Sequence, residues 1–236
     1  MLAHRQSSKT QSERLAEAAR QVDPTAFYYE VFQGDAQVGV ASSAIDTTHG
    51  QLRSVDMFRG RLVVFGDTQS VEANATAYLS QRLSVDSFAL EVGGDQRPMR
   101  LRGAPNAGGG PLFLPTQLPI ALMLTGPAKV GRADSFWVYN PIARDVQRTT
   151  LRIRAESLFT VSDSAKYDST TARWVSAHAD TIRSWSVTSG ASELTVWVDA
   201  QGRIVSASEP GGLRLQRTAY EQAFSNWRNR HENKHP

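Results

Sequence analysis

The sequence predicts a mainly β protein: a curved antiparallel sheet, forming a half-barrel or open barrel, with an N-terminal and a C-terminal helix. Three observations predict it. Many short segments alternate apolar and polar residues with a period of two, turn residues separate them, and no long helical pattern lies between them. Because a long antiparallel sheet with unpaired edges tends to curl, we expect a curved rather than a flat sheet.

The clearest segment is Leu194–Thr218, which predicts two strands joined by a tight turn, then a third strand. Leu194, Val196 and Val198 alternate with Thr195, Trp197 and Asp199, as in a strand that buries one face. Asp199 suits the first position of the turn, and Gly202 suits its left-handed residue. This chemistry explains Asp199 without a catalytic role.

The remaining predicted strands follow from the same alternation. A phase change near Asp86 predicts a bulge, Arg59–Arg61 a turn, and 163–171 a polar loop. In chain order they are 26–32, 36–46, 51–58, 62–65, 70–79, 83–92, 99–101, 135–139, 149–155, 159–162, 172–175 and 182–187. These remaining segments make about a dozen strands.

We predict three parts: an N-terminal arm and helix at 1–24, a single antiparallel β domain at 25–218, and a C-terminal helix and tail at 219–236. The spacing of Thr10 and Glu13 predicts a capped helix over Thr10–Val22, and that of Thr218 and Glu221 predicts another cap. The apolar stripes of the two helices need a surface to pack on. The candidate interaction residues are Leu15, Val22, Tyr220, Phe224 and Trp227.

Composition limits the classes of function. The chain has 236 residues, a formal net charge of +3, and no concentrated basic run in its body, so we expect no nucleic-acid partner. It has no cysteine, which excludes disulfides, thiolate metal sites and cysteine nucleophiles. A Cys-free chain suits the cytosol and the periplasm equally.

The most apolar run is Pro111–Thr125, which is too short to span a bilayer and is interrupted by two prolines. It predicts a buried loop or short helix, and the glycine-rich 103–111 before it predicts a flexible connector or lid. The first residues show no signal-peptide pattern. We keep open the interpretation that Met1 is an internal start and that a signal or anchor precedes it.

No catalytic constellation emerges from the sequence. His178 and Asp180 are two residues apart and would share one face of a strand, so a hydrolase using this pair is one hypothesis. No serine-elbow motif accompanies them. No spacing points to a metal site, and no motif points to a cofactor. We therefore expect the protein not to be an enzyme.

Five tryptophans occupy the second half of the chain. Aromatic side chains on a curved sheet either fill its core or line an apolar ligand cavity. The candidate apolar-ligand residues are Trp137, Trp185, Trp197, Leu118 and Leu122.

Two stretches resemble a known group of proteins. Tyr29–Thr48 carries an aromatic strand followed by G-x-x-x-V-G, and Leu194–Ala223 carries a Trp strand followed by D-x-x-G-R. Together they resemble bacterial cell-envelope β-domains of unknown function, which include those accompanying transglutaminase-like proteins and, more distantly, the half-barrel of lipoprotein carriers. The resemblance implies a curved sheet and a periplasmic or cell-envelope location, and it implies no shared catalytic residues.

The leading hypothesis is a non-catalytic interaction or structural module of the bacterial cell envelope. It would be an accessory subunit docked on a protein partner within a membrane-associated assembly. The alternatives are a periplasmic carrier or sensor of a lipid or other apolar ligand, and the hydrolase of His178 and Asp180.

Overall fold

The computed structural model describes residues 10–20, 22–48, 51–64, 66–95, 97–105, 110–190 and 194–231. The predicted flexible segment 103–111 lies partly outside the described residues, as do Met1 and the residues that follow it. In chain order the elements are α1 (Gln11–Ala19), β1 (Thr25–Gln33), β2 (Ala36–Thr48), β3 (Gln51–Val64), β4 (Asp67–Leu79), β5 (Val85–Gly94), β6 (Met99–Gly103), β7 (Leu112–Phe113), α2 (Leu118–Leu124), β8 (Ala133–Asn140), β9 (Asp145–Asp168), β10 (Arg173–Ser189), β11 (Thr195–Val198), β12 (Ile204–Ser208), β13 (Leu213–Thr218) and α3 (Asn226–His231).

The thirteen strands of the described residues belong to one sheet, in the order β6-β5-β4-β3-β2-β1-β13-β12-β11-β10-β9-β8-β7. Every ladder is antiparallel except the short parallel pair β7–β8. The strands therefore follow chain order around the sheet, with the first and last strands paired at its middle. The predicted fold class, a curved antiparallel sheet of the barrel type with terminal helices, is confirmed.

The strand β3 is longer than the sequence indicates. Arg59–Arg61 was expected to form a turn, but β3 runs straight through it and Gly60 pairs with Gly39 of β2. A Cβ built on Gly60 would lie 2.7 Å from the Phe58 ring, and one built on Gly39 would lie 3.1 Å from it. The ring therefore covers both glycines. A ring covering paired glycines replaces the side-chain packing that glycine lacks, so this glycine belongs to a strand.

The strands β9 and β10 are also longer than the sequence indicates. Four expected short strands and the expected polar loop 163–171 form one long hairpin, whose turn is confined to the residues between Asp168 and Arg173. Sheet pairing with β8 ends at Arg152 and with β11 at Trp185. Beyond those points the two strands pair with each other and form what we call the arm, Glu156–Asp168 with Arg173–Ser184.

The far end of the arm contacts the C-terminal helical segment. Asn226 makes two hydrogen bonds to the backbone of Trp174: the Trp174 N–H donates to Oδ1 at 2.8 Å, and Nδ2 donates to the carbonyl at 2.8 Å. Nearer the sheet, the rings of Phe159 and Trp197 are 5.1 Å apart. The arm therefore lies along the convex side of the sheet.

The main core lies on the concave face, where α2 packs. Leu118, Ala121, Leu122 and Met123 of this helix are buried among side chains of β2 and β8–β11. The run Pro111–Thr125 thus contains the short helix that its composition indicated, and it fills part of the barrel with the chain's own side chains. Among the described residues, no helix is long and apolar enough to cross a bilayer.

The two edges of the sheet meet through side chains. Phe88 of β5 and Leu112 of β7 belong to one buried cluster, and the Phe88 and Tyr139 rings are 5.6 Å apart. The Leu112 N–H donates to the Ser84 hydroxyl at 3.1 Å. This contact, which we call the seam, brings the sheet close to a closed barrel.

The terminal helices lie on opposite faces of the sheet. The α1 helix begins with the expected capping box, in which the Glu13 carboxylate accepts from the Thr10 N–H at 2.7 Å. It packs on the concave core. The C-terminal segment packs on the convex face against Val40. It starts with a π turn, Glu221–Ser225, and the Thr218 hydroxyl donates to Gln222 rather than capping Glu221.

Candidate functional site

The concave face holds two apolar cavities that α2 does not fill. The first, of about 620 Å³, lies between α2 and strands β8–β11, and its apolar lining includes Leu118, Val138, Leu151, Val187 and Val196. The second, of about 270 Å³, has an almost wholly apolar lining from β1, β3 and β13, with Val31, Phe58, Leu213 and Leu215. Leu194 lines both cavities, so the two adjoin at this residue, and we call them together the concave groove.

A cluster of ionisable side chains lies on the same face of the sheet. Asp56, Asp199, Arg203 and Arg217 are each close enough to Tyr29 to act on it electrostatically. Burial strongly raises the pKa of the Tyr29 phenol, whose hydroxyl donates to the Ile204 carbonyl at 3.3 Å. We call these five side chains the polar cluster.

The charges within the polar cluster are partly paired. Arg217 is buried, and its Nη2 donates to Asp199 at 3.0 Å while its guanidinium stacks on the Phe27 ring at 4.1 Å. Arg203 is also buried, and its Nη2 donates to the Asp23 carbonyl at 3.2 Å. Burial lowers the pKa of Arg203, and the carboxylate of Asp199 opposes this.

Asp56 is the acidic residue of the polar cluster that lies on β3. The Ser43 hydroxyl donates to its Oδ1 at 2.6 Å. Burial raises the pKa of Asp56, and the hydroxyls of Ser43 and Thr116 and the charge of Arg203 oppose this shift. The carboxylate is partly buried and Thr116 is exposed, so this end of the polar cluster is accessible to solvent.

The β11–β12 turn attaches the polar cluster to α2. Asp199 Oδ1 accepts from the N–H groups of Gln201 and Arg203 at 3.0 and 2.9 Å, as the sequence indicated for a turn residue. Gly202 has φ +77°, and a Cβ there would lie 2.5 Å from the Ile120 Cα. Asp199 therefore has two functions, since it shapes the turn and also pairs with Arg217.

The five candidate apolar-ligand residues do not come together. Leu118 lines the first cavity, whereas Leu122 is fully buried in the core. Trp185 is buried, with its indole N–H donating to Glu156 at 3.2 Å. Trp137 is 45% exposed, and Trp197 packs against the arm. Of this set, Leu118 is the one that borders the groove.

The candidate interaction residues divide into two groups. Leu15 and Val22 are buried in the concave core of this same chain. Trp227 is buried against Val40, whereas Tyr220 is 44% exposed. The rings of Tyr220 and Phe224 stack at 5.2 Å, which leaves this pair as the accessible part of the set.

His178 pairs across the arm rather than along it. Its Nδ1 lies 2.9 Å from Asp163 Oδ2, and that carboxylate raises the pKa of His178, with a smaller contribution from Asp180. The three ligand atoms of Asp163, His178 and Asp180 lie within 4.8 Å of one another, so they could hold a cation, but all three side chains are exposed. A surface ion pair explains this arrangement.

Sequence reasoning missed Asp56, Arg203 and Arg217. The sequence held one usable signal, the alternation of inward and outward side chains along each strand. Arg217 continues the inward series of Leu213 and Leu215, and Asp56 lies between Ser54 and Phe58 on the same face. A charged residue at an inward position of a strand indicates a polar site inside the barrel. The alternation alone does not say which of the two faces is concave.

Comparison with known proteins supports the fold alone. No family model matches the chain, and no curated protein matches it. A crystal structure described as a beta-barrel-like protein of the domain of unknown function DUF1849 from Brucella abortus is similar, with a TM-score of 0.54 and 10% sequence identity. The match covers 83% of this chain and 94% of that one. These findings support an all-β, barrel-like domain of unknown function, and support neither a transglutaminase association nor a carrier fold.

Proposed function

We propose that this protein is a non-catalytic binding module of the bacterial cell envelope that takes an apolar ligand in the concave groove. The observation that carries the proposal is the meeting of two apolar cavities at Leu194. Concave apolar surfaces with a few convergent polar groups are typical ligand sites. Polar side chains in the lining of the first cavity, among them Gln147, Thr149 and Thr150, supply such groups. The envelope location is an expectation from the sequence.

Binding of a neutral fluorescent probe, N-phenyl-1-naphthylamine, tests the groove. We expect saturable fluorescence enhancement and a rise in melting temperature, because a ligand that binds only the native state stabilises it. Leu213→Gln places an amide in the second cavity and should weaken binding about tenfold. Leu158→Gln is the matched control, since Leu158 is 67% exposed on the arm. Equal binding by the two variants, or no binding by the native protein, would contradict the proposal.

A second candidate function is docking on a protein partner as an accessory subunit of a membrane-associated assembly. The stacked pair Tyr220 and Phe224 supports it, because aromatic side chains are enriched at interfaces. A photo-crosslinking amino acid at Tyr220 should capture one discrete partner in cells. The same amino acid at Tyr167, which is exposed on the arm, is the control. The same crosslinked band from both positions would remove the docking hypothesis.

A further inference from the structure

A cavity of about 340 Å³ lies on the convex face, between the C-terminal helical segment and strands β2–β4. We call it the convex cleft. Its floor is a patch of the β3–β4 ladder, in which Arg59 pairs with Glu72 and Met57 pairs with Asn74. Its wall comes from the C-terminal helical segment and consists of Tyr220, Phe224, Trp227 and Arg228. Because floor and wall line the same cavity, one ligand reaches both.

The wall is aromatic, and its rings hold one another in place. The rings of Tyr220 and Phe224 stack with their centroids 5.2 Å apart, and the Tyr28 ring stands edge-on to both, at 5.1 and 5.8 Å. Trp227 is buried against Val40, whereas Tyr220 stays 44% exposed. A wall that is ordered before a ligand arrives loses little conformational entropy on binding.

The floor is polar and open to solvent. Arg59 Nε donates to Glu72 Oε1 at 2.9 Å, and both side chains are more than half exposed. Asn74 is exposed beside this pair. A guanidinium only donates hydrogen bonds, a carboxylate only accepts them, and an amide does both. The floor therefore offers donors and acceptors next to each other.

This lining selects the chemistry of a ligand. The charged side chains that line the convex cleft are Arg59, Glu72 and Arg228, and two guanidinium groups against one carboxylate disfavour a cation, which the rings alone would attract. A wholly apolar ligand would desolvate the floor without replacing its hydrogen bonds. The cleft thus fits a molecule with one apolar face and a rim of groups that both donate and accept.

A pyranose sugar has this form. Its C–H groups make one apolar face, which packs on the electron-rich face of an aromatic ring, and each hydroxyl on its rim donates and accepts. A second cavity of about 260 Å³ adjoins the convex cleft at Arg59, Glu72, Trp227 and Arg228, which line both. It adds the side chains of Arg61 and Ser70, so the polar floor continues beyond one sugar unit.

We propose that the convex cleft binds an oligosaccharide, with a pyranose ring packed against the aromatic wall and its hydroxyls bonded to Asn74 and to the Arg59–Glu72 pair. The inference is independent of the concave groove, which lies on the other face of the sheet. It uses the same rings as the docking hypothesis, Tyr220 and Phe224, so a saccharide and a protein partner are competing occupants of one surface.

The test is an NMR titration of the full-length, ¹⁵N-labelled protein with maltotriose, cellotriose, chitotriose and trigalacturonate. We expect saturable shifts of the Trp227 indole N–H and the Tyr220 amide with at least one of them, and a dissociation constant of about 1 mM or tighter. No saturable shift with any of the four would overturn the inference. Tighter binding of choline or tetra-alanine than of every saccharide would also overturn it. Neither result bears on probe binding in the concave groove.

Two variants locate the site. Tyr220→Ala removes part of the aromatic wall and Asn74→Ala removes an amide of the floor, and each should weaken saccharide binding about fivefold. The matched controls are Tyr167→Ala and Asn229→Ala, since both residues are exposed and line neither of the two cavities. All four positions are exposed, so the variants should fold. Equal affinity of each variant and its control would overturn the inference.

Discussion

Gly202 is constrained twice, by its own dihedral angle and by its neighbour. Its φ of +77° disfavours a side chain, and a Cβ would meet the backbone of Ile120 at 2.5 Å. We expect Gly202→Ala to lower the free energy of unfolding by about 3 kcal/mol or more, measured by urea denaturation. Gly34→Ala is the control, because Gly34 also has positive φ (+59°) but its Cβ would meet nothing within 4 Å. It should cost about 1–2 kcal/mol. Equal losses would show that the contact with α2 contributes nothing.

Arg217 and Asp199 form a buried ion pair, whereas Arg59 and Glu72 form an exposed one. Removing one member of a buried pair leaves the other charge uncompensated. Arg217→Met should therefore cost about 3–5 kcal/mol in urea denaturation. Arg59→Met should cost less than about 1 kcal/mol. A small effect at Arg217 would indicate that water reaches Asp199.

The stability of the protein should depend on pH through Asp56. Burial raises the pKa of Asp56 in the folded state, so the folded protein holds this proton to higher pH than the unfolded chain does. Stability from this group is therefore lost as pH rises through and above the ordinary Asp range. Asp56→Asn should lack this loss, so its melting temperature relative to the native protein should be higher at pH 7 than at pH 4. The opposite trend would mean that hydrogen bonds, not burial, dominate.

At the scale of the element, the arm depends on one side chain at its far end. Asn226→Ala removes both hydrogen bonds to Trp174 and leaves backbone groups unsatisfied. We expect amide exchange at Trp174 and its neighbours in the arm to accelerate by about tenfold or more, because about 1–3 kcal/mol is lost. Asn229→Ala is the control, since Asn229 is exposed on the same helix. Exchange that is equally fast in both variants would show that Asn226 does not hold the arm.

The sequence predicted most elements because apolar alternation and turn residues are local signals. The capping box of α1 and the bulge at Asp86, where Tyr78 pairs with Ser87 and Leu79 with Val85, are examples. The errors have a different cause. In the sequence, Gly60 indicates a turn, because the covering Phe58 ring is visible only in the structure. The polar residues of the arm indicate a loop, because the arm exposes most of its side chains.

At the scale of the whole molecule, the candidate site was beyond the reach of the sequence. Asp199 was correctly interpreted as a turn residue, but its partner Arg217 lies on another strand. Asp56 joins them from β3, in the other half of the sheet. Among the described ladders, the pairing of β1 with β13 joins these halves. A site assembled across that pairing leaves no spacing to recognise in one sequence.

The pairing of β1 with β13 also has a kinetic consequence. It is the described ladder that joins strands from opposite ends of the chain, whereas the others join strands that follow each other. Closing such a long loop is entropically costly, so this ladder should form after the transition state for folding. Leu215→Ala, opposite Val31, should then accelerate unfolding and leave the refolding rate nearly unchanged in stopped-flow measurements. The second cavity and the polar cluster, which both take residues from β1 and β13, would in that case be the last parts of the protein to assemble.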